Sequence, residues 1–181
     1  MFTKLLQSIC KGIDTVIMLI GKGASYLMPL LAFIVTYEVV ARYIFNAPTI
    51  WAYDMSLFLF GYIAALGGAY AQQKRAHINV DIFYLTVGPK VKNIFNIISY
   101  TLGIFFLIIV FYLSLTKFNE ALEFNYRRQS EWAPPMWHFW LMLCIASTLF
   151  TIQLIRDIII ESYSLITDSS LIDQKEIKDG C

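Results

Sequence analysis

The sequence predicts an all-α integral membrane protein with four transmembrane helices. Apolar residues make up 58% of its 181 residues and charged residues 15%, against about 45–50% and about 25% in soluble domains. A domain of this size still exposes about a third of the surface of its unfolded chain, so it cannot hide such an excess from water. Four stretches of about 20 largely apolar residues, each long enough to cross about 30 Å of hydrocarbon, account for the excess.

The four predicted spans cover residues 23–43, 51–71, 94–115 and 136–155. An interfacial turn or two, beginning near Ile13, is expected to precede the first span. Two consecutive prolines stand before the last span, where proline can begin a helix but not lie inside one. We expect a single four-helix bundle over residues 1–181, ending in a polar cytoplasmic tail at 167–181.

The distribution of lysine and arginine predicts the orientation of the spans. With the N-terminus in the cytoplasm, ten of the fourteen basic residues lie inside and four outside. The ten are Lys4, Lys11, Lys22, Lys74, Arg75, Lys90, Lys92, Arg156, Lys175 and Lys178, and the four are Arg42, Lys117, Arg127 and Arg128. Because cytoplasmic loops carry the excess of positive charge, both termini are predicted to be cytoplasmic.

Charge, cysteine and histidine content exclude several classes of function. A net charge of +1 argues against nucleic-acid binding, which needs clustered basic residues. Cys10, Cys144 and Cys181 are too widely spaced for a disulfide framework or a metal knuckle. His77 and His138 are predicted on opposite sides of the bilayer, so together they cannot ligate one haem. We therefore predict no enzyme activity, and neither a metal nor a cofactor bound by this chain.

Three ionisable residues flank the link between the first two spans. Glu38 and Arg42 are four residues apart on one helix face, and Asp54 is one turn into the next span. An ionisable group at membrane depth costs several kcal/mol unless it is paired or hydrated. The interpretation adopted is a structural ion-pair cluster near the outer interface. A proton relay, a substrate site and a contact with a partner subunit remain open.

The second span carries a stripe of small residues that lets another helix approach closely. Its members are Gly61, Ala64, Ala65, Gly68 and Ala69. The stripe predicts tight packing, either within the bundle or against a partner subunit.

The outer loop between the third and fourth spans carries mixed charges. These are Glu123, Arg127, Arg128 and Glu131. Such a loop is either simply solvated or a rim that steers a transient partner by charge.

Three motifs resemble those of small permease subunits of tripartite ATP-independent periplasmic (TRAP) transporters. YEVVARYIFNAPTIWA at 37–52 is similar to the first-hairpin signature of that family, although a single acid follows the tryptophan where many relatives have two. LGGAY at 66–70, followed by HINVD at 77–81, is similar to a second signature, which singles out His77 and Asp81. SEWAPPMW at 130–137 resembles the mannitol and chloroaromatic-compound branch, although His138 and Phe139 replace its usual Pro-Lys.

The resemblance implies a scaffold role in the bacterial inner membrane. In such transporters a periplasmic binding protein captures an organic acid, a large membrane subunit carries it with sodium, and the small subunit supports the large one. The resemblance thus implies partners in the large subunit, the binding protein and the membrane lipids, with sodium coupling in the large subunit. The transported substrate cannot be read from this chain.

Two rival functions remain open. A small multidrug-type exporter also has four spans and a glutamate in the first, but it is much shorter and lacks the Pro-Pro-x-Trp segment. The other rival is a structural subunit of a different membrane complex. Co-purification with one large hydrophobic subunit would support the TRAP hypothesis, whereas transport by this chain alone in liposomes would support the exporter.

Overall fold

The computed structural model describes residues 2–74 and 88–167, which are helical apart from short links. The helices are α1 (Phe2–Ser25), α2 (Leu27–Tyr43), α3 (Ala52–Gln73), α4 (Pro89–Glu123) and α5 (Trp137–Thr167). Four segments are long and apolar enough to cross a membrane: Leu6–Tyr43, which joins α1 and α2, then Ala52–Gln73, Val91–Glu123 and Trp137–Ile166. The predicted all-α membrane fold with four spans is confirmed.

Two of the helices are longer than the apolar stretches that predicted them. α4 has 35 residues and α5 has 31, which correspond to about 52 Å and about 46 Å at a rise of 1.5 Å per residue. The hydrocarbon core is only about 30 Å thick. Because helical hydrogen bonds continue to form in the polar boundary, both helices extend beyond the predicted spans.

The first apolar segment breaks into two helices at Tyr26. Pro29 has no N–H, so the carbonyl of Ser25 has no partner four residues ahead, and a proline at this point also crowds the preceding turn. At the break, the amide of Tyr26 bonds the carbonyl of Gly23, three residues earlier, at 3.2 Å. The sequence predicted only an interfacial turn or two before the first span, whereas α1 has 24 residues.

The spanning helices form an open row. α2 packs on α3, α3 on α5, and α5 along most of α4, while α1 contacts α3, α5 and the start of α2. Among the described residues α4 has no substantial contact with α2 or α3. The predicted four-helix bundle is therefore open, and the outer faces of α2 and α4 carry many exposed apolar side chains.

Close helix contacts fix the position of α1 against α3. A Cβ atom added to Gly21 would lie 2.4 Å from the Cβ of Tyr70, so only glycine permits this approach. The buried face of α1 consists of small or apolar residues at helical spacing, namely Cys10, Ile17, Gly21 and Ala24. At the same end of the molecule, the Asn96 side chain donates to Glu161 at 3.2 Å and so joins α4 to α5.

Candidate functional site

The link between α2 and α3 is held by the carboxylate of Glu38. Its Oε1 accepts bonds from Arg42 Nε at 3.0 Å and Nη2 at 2.5 Å. Its Oε2 accepts the backbone N–H of Thr49 at 3.1 Å and also the Thr49 hydroxyl. Because both oxygens are occupied by groups of α2 and of the link, this carboxylate fixes the turn that returns the chain into α3.

Asp54 joins a different partner. Its side chain is 1% exposed, and Arg128 Nε lies 2.7 Å from Oδ1. The contact is an ion pair without a hydrogen bond, since Oδ1 accepts none, while the Ser130 hydroxyl donates to Oδ2. Arg128 also lies over the ring of Tyr53, 5.7 Å from its centroid. The structure brings two of the three predicted residues together, Glu38 and Arg42, and places Asp54 in a second pair across the row.

The loop between α4 and α5 folds back on itself and places Arg128 beside Asp54. Asn125 has a φ of 49° after the C-cap Phe124, and the amide of Tyr126 bonds the carbonyl of Ala121 at 3.1 Å, the arrangement of a Schellman cap. The amide of Arg128 then bonds the carbonyl of Pro134 at 3.0 Å. A single antiparallel bridge joins residues 127 and 135. The sequence predicted only that this loop carries mixed charges, and the structure adds the backbone bonds that fold it back.

The four charged residues predicted for docking have different environments. Arg128 belongs to the Asp54 pair. Arg127 is exposed and donates to the carbonyl of Ala133 at 3.2 Å. Glu123 and Glu131 are exposed. Three of the four therefore present their charge at the surface, and the fourth holds the loop on α3.

The small residues of α3 contact α5. A Cβ atom on Gly61 would lie 2.7 Å from Phe139 Cε2, and one on Gly68 would lie 3.4 Å from Phe150 Cε1. Ala69 is buried and Ala65 half-buried, whereas Ala64 is exposed. Of the two open alternatives for this stripe, the structure shows packing within the chain for both glycines.

A second polar cluster, at the opposite end of the row, was missed by the sequence analysis. Arg156, whose side chain is 5% exposed, bonds Asp14 Oδ2 at 2.5 Å and Asp157 Oδ1 at 2.9 Å. Gln73 donates to the carbonyl and the carboxylate of Asp14 at 2.8 and 3.2 Å. Gln153, which is fully buried, donates to Asp157. We call these five residues the α1 clasp, because they bond α1 to α3 and α5.

A tyrosine–histidine pair was also missed. Tyr62 Oη lies 2.5 Å from His138 Nδ1 and so joins α3 to α5 near the α4–α5 loop. Phe58 packs edge-on against the His138 ring, with 4.8 Å between centroids. His138 follows Tyr62 by 76 positions, and helix order is needed to see that the two side chains meet. His77 and Asp81 of the second motif, and the tail after Thr167, lie outside the described residues.

In the part of the chain that the structure describes, no group of three or more histidine, cysteine or acidic side chains is arranged to hold a metal ion. The buried charged side chains of Asp54 and Arg156 instead pair with partners on other segments of the chain, Arg128 and Asp14. Together with the four apolar spans, this arrangement defines a multi-pass membrane protein whose buried charges hold an open helix row together.

Comparison with known proteins identifies the family. The family model described as "Tripartite ATP-independent periplasmic transporters, DctQ component" matches residues 31–161. This match covers most of the chain, and the protein belongs to that family. The chain is thus a multi-pass protein of the bacterial inner membrane that belongs to a transporter family rather than an enzyme family.

Three curated relatives share shorter stretches. The sialic acid TRAP transporter small permease protein SiaQ of Vibrio cholerae is 28% identical over 80 residues, which are 44% of this chain and 43% of that protein. The sialic acid TRAP transporter permease protein SiaT of Haemophilus influenzae is 24% identical over 84 residues, 46% of this chain and 14% of that protein. The C4-dicarboxylate TRAP transporter small permease protein DctQ of Vibrio cholerae is 20% identical over 75 residues, 41% of this chain and 32% of that protein. The chain thus spans less than half the length of each of these relatives.

Proposed function

We propose that this chain is the scaffold subunit of a sodium-coupled TRAP transporter that takes up an organic acid. The observation that carries the proposal is the family match over residues 31–161. Two relatives are named for sialic acid and one for C4-dicarboxylates, all of them organic acids, which supports the substrate class. Sodium coupling is proposed for the large subunit, and the binding protein and large subunit are proposed to select the substrate.

The scaffold role is supported by the open row of helices. The face of α3 that turns away from α5 carries exposed Phe60 and Ala64, and Gly67, where an added Cβ would meet nothing within 4 Å. Small residues let a neighbouring helix approach closely in a membrane. We propose that a helix of the large subunit packs on this face, whereas the adjacent Gly68 serves contacts within the chain.

Co-purification with variants of these neighbouring glycines tests the proposal. Gly67→Leu should leave the chain folded but reduce its yield in complex with the large subunit. Gly68→Leu adds bulk against Phe150, and overpacking of this kind costs about 1–3 kcal/mol, so it should destabilise the isolated chain. If no large subunit co-purifies with the wild type and the chain alone transports substrate in liposomes, the scaffold proposal is wrong and the exporter alternative replaces it.

We further propose that the α4–α5 loop helps to dock the periplasmic binding protein through Arg127, Glu123 and Glu131. Exposed charges act mainly on association rate and its salt dependence. Arg127→Glu should therefore slow uptake at limiting binding protein and low ionic strength, and Arg127→Gln should slow it less. Arg128 is left unchanged, because its substitution would disturb the fold as well. Uptake that is insensitive to Arg127→Glu and to salt would assign docking to the large subunit alone.

The orientation and the branch of the family are also proposals. The ten-to-four distribution of basic residues supports cytoplasmic termini, and single cysteines placed at Ala76 and Asn125 should then label from opposite sides of the membrane. Periplasmic labelling of both would overturn this topology. The segment at 130–137 supports the mannitol and chloroaromatic-compound branch, and sequencing the co-purified large subunit tests that assignment.

A further inference from the structure

Helix α1 is too long to lie within the bilayer as a continuation of α2. The two helices together span residues 2–43, which would measure about 60 Å if they were collinear, twice the roughly 30 Å of hydrocarbon. The chain breaks between them at Tyr26. The helices α2 and α3 pack on each other near the link that joins them, and at the other end of α3 Gly21 contacts its last turns at Tyr70. The excess length of α1 therefore lies at that membrane boundary, next to the α1 clasp.

Three faces with different chemistry run along α1. One face is buried on α3 and α5. A second is apolar but exposed, with Ile9 52%, Val16 49% and Leu19 62% exposed, at spacings of seven and three residues that keep them on one side. The third carries Lys11 and Lys22, both exposed and eleven residues apart, about three helical turns.

We propose that α1 lies in the membrane interface and binds anionic phospholipid headgroups along its lysine face. A helix with one apolar and one basic side is the pattern of an interfacial segment, which buries the apolar side in the acyl boundary and offers the basic side to anionic lipid. Charge complementarity selects this occupant, because the exposed apolar side adjoins a cationic stripe. The site is independent of the transporter role, since it rests only on α1 and its contacts.

The α1 clasp gives this site a fixed geometry. Asp14 lies between the lysine face and the buried face, and its carboxylate is bonded to Arg156 and Gln73. The only acidic side chain of α1 is thus bonded to α3 and α5. Each lysine near an anionic membrane surface contributes about 1 kcal/mol to the free energy of membrane binding. This corresponds to about a five-fold change in the ratio of membrane-bound α1 to α1 detached from the membrane.

The test uses the full chain, in its complex where one forms, reconstituted in vesicles of phosphatidylcholine with or without phosphatidylglycerol. A nitroxide attached to Leu19→Cys reports the depth of the apolar side through its collisions with oxygen and with a water-soluble nickel chelate. Cys181→Ser removes one native thiol, and Cys10 and Cys144 are buried. Oxygen collisions should dominate, and more strongly with phosphatidylglycerol present.

Lysine variants separate the outcomes. Lys11→Gln with Lys22→Gln should raise nickel collisions only in vesicles that contain phosphatidylglycerol. Each substitution should lower the ratio of membrane-bound α1 to α1 detached from the membrane by about five-fold. High salt should likewise raise nickel collisions for the wild type. Lys117→Gln removes one exposed charge from the opposite end of the row and should change nothing. A label shielded from both reagents would show that protein covers the apolar side, and a label insensitive to lipid charge would show that the lysines bind no anionic lipid. Either result would overturn the proposal.

Discussion

Replacing Arg128 with alanine would remove the cation beside a carboxylate that is almost inaccessible to water. Asp54 would keep the Ser130 hydroxyl as a donor but lose the guanidinium 2.7 Å from Oδ1. The substitution also removes the stacking of Arg128 on Tyr53. Both losses loosen the α4–α5 loop from the start of α3.

The expected cost follows from burial. Removing one partner of a buried ion pair typically costs about 3–5 kcal/mol, because the other charge is left uncompensated. The Arg128 side chain is 30% exposed, so water can partly replace it, and we expect the lower end, about 3 kcal/mol. At about 2–4 °C per kcal/mol for a chain of this size, the midpoint of thermal unfolding should fall by about 6–12 °C.

Thermal unfolding of the purified chain in detergent, followed by tryptophan fluorescence, measures this shift. Arg127→Ala is the matched control, because Arg127 makes one bond to an exposed loop carbonyl and should cost no more than about 1.5 kcal/mol. Adding Asp54→Asn to Arg128→Ala should recover part of the loss, since it removes the buried charge. Equal midpoints for Arg127→Ala and Arg128→Ala would refute the assignment of Asp54 to Arg128.

Two further variants test contacts between distant parts of the chain. Arg156→Ala should leave Asp14 and Asp157 without their shared cation, cost about 3–5 kcal/mol, and raise hydrogen exchange in α1 more than in α3; unchanged exchange in α1 would mean that the clasp does not hold it. Tyr62→Phe should remove the bond between Tyr62 Oη and His138 Nδ1 and lower the free energy of unfolding by about 0.5–1.5 kcal/mol, measured by thermal unfolding. Converting both members of that pair to phenylalanine should recover part of the loss, and an equal or larger loss would argue against the bond.

The pair of Glu38 and Arg42 was within reach of sequence reasoning, whereas the partner of Asp54 was not. Residues four apart on a helix are neighbours whatever the fold, and the structure shows that pair bonded. Asp54 and Ser130 are 76 positions apart, and Asp14 and Arg156 are 142 apart. Whether such residues meet depends on helix order and on the conformation of a loop, and no local spacing encodes either.

The small residues of α3 also separate what the sequence predicts from what only the tertiary structure decides. Their spacing predicts a close helix contact, because a backbone without bulky side chains admits a neighbour. It does not say which neighbour: an added Cβ on Gly68 would contact Phe150, whereas one on the adjacent Gly67, about 100° away around the helix, would meet nothing within 4 Å. Only the packing of Phe139 and Phe150 against Gly61 and Gly68 decided that this stripe serves the α3–α5 contact.

The sequence by itself determined that this protein has four membrane spans and that they are helices. Apolar length sets the number of spans, and the absence of water to satisfy backbone groups in lipid demands hydrogen bonds within each segment. The tertiary structure alone decided that the spans form an open row, that Arg128 rather than Arg42 neutralises Asp54, and that a clasp holds α1 to α3 and α5. In lipid every apolar face is equally well solvated, so hydrophobicity cannot rank neighbours, and the choice is made by close packing and by the pairing of the few charges that cannot remain alone.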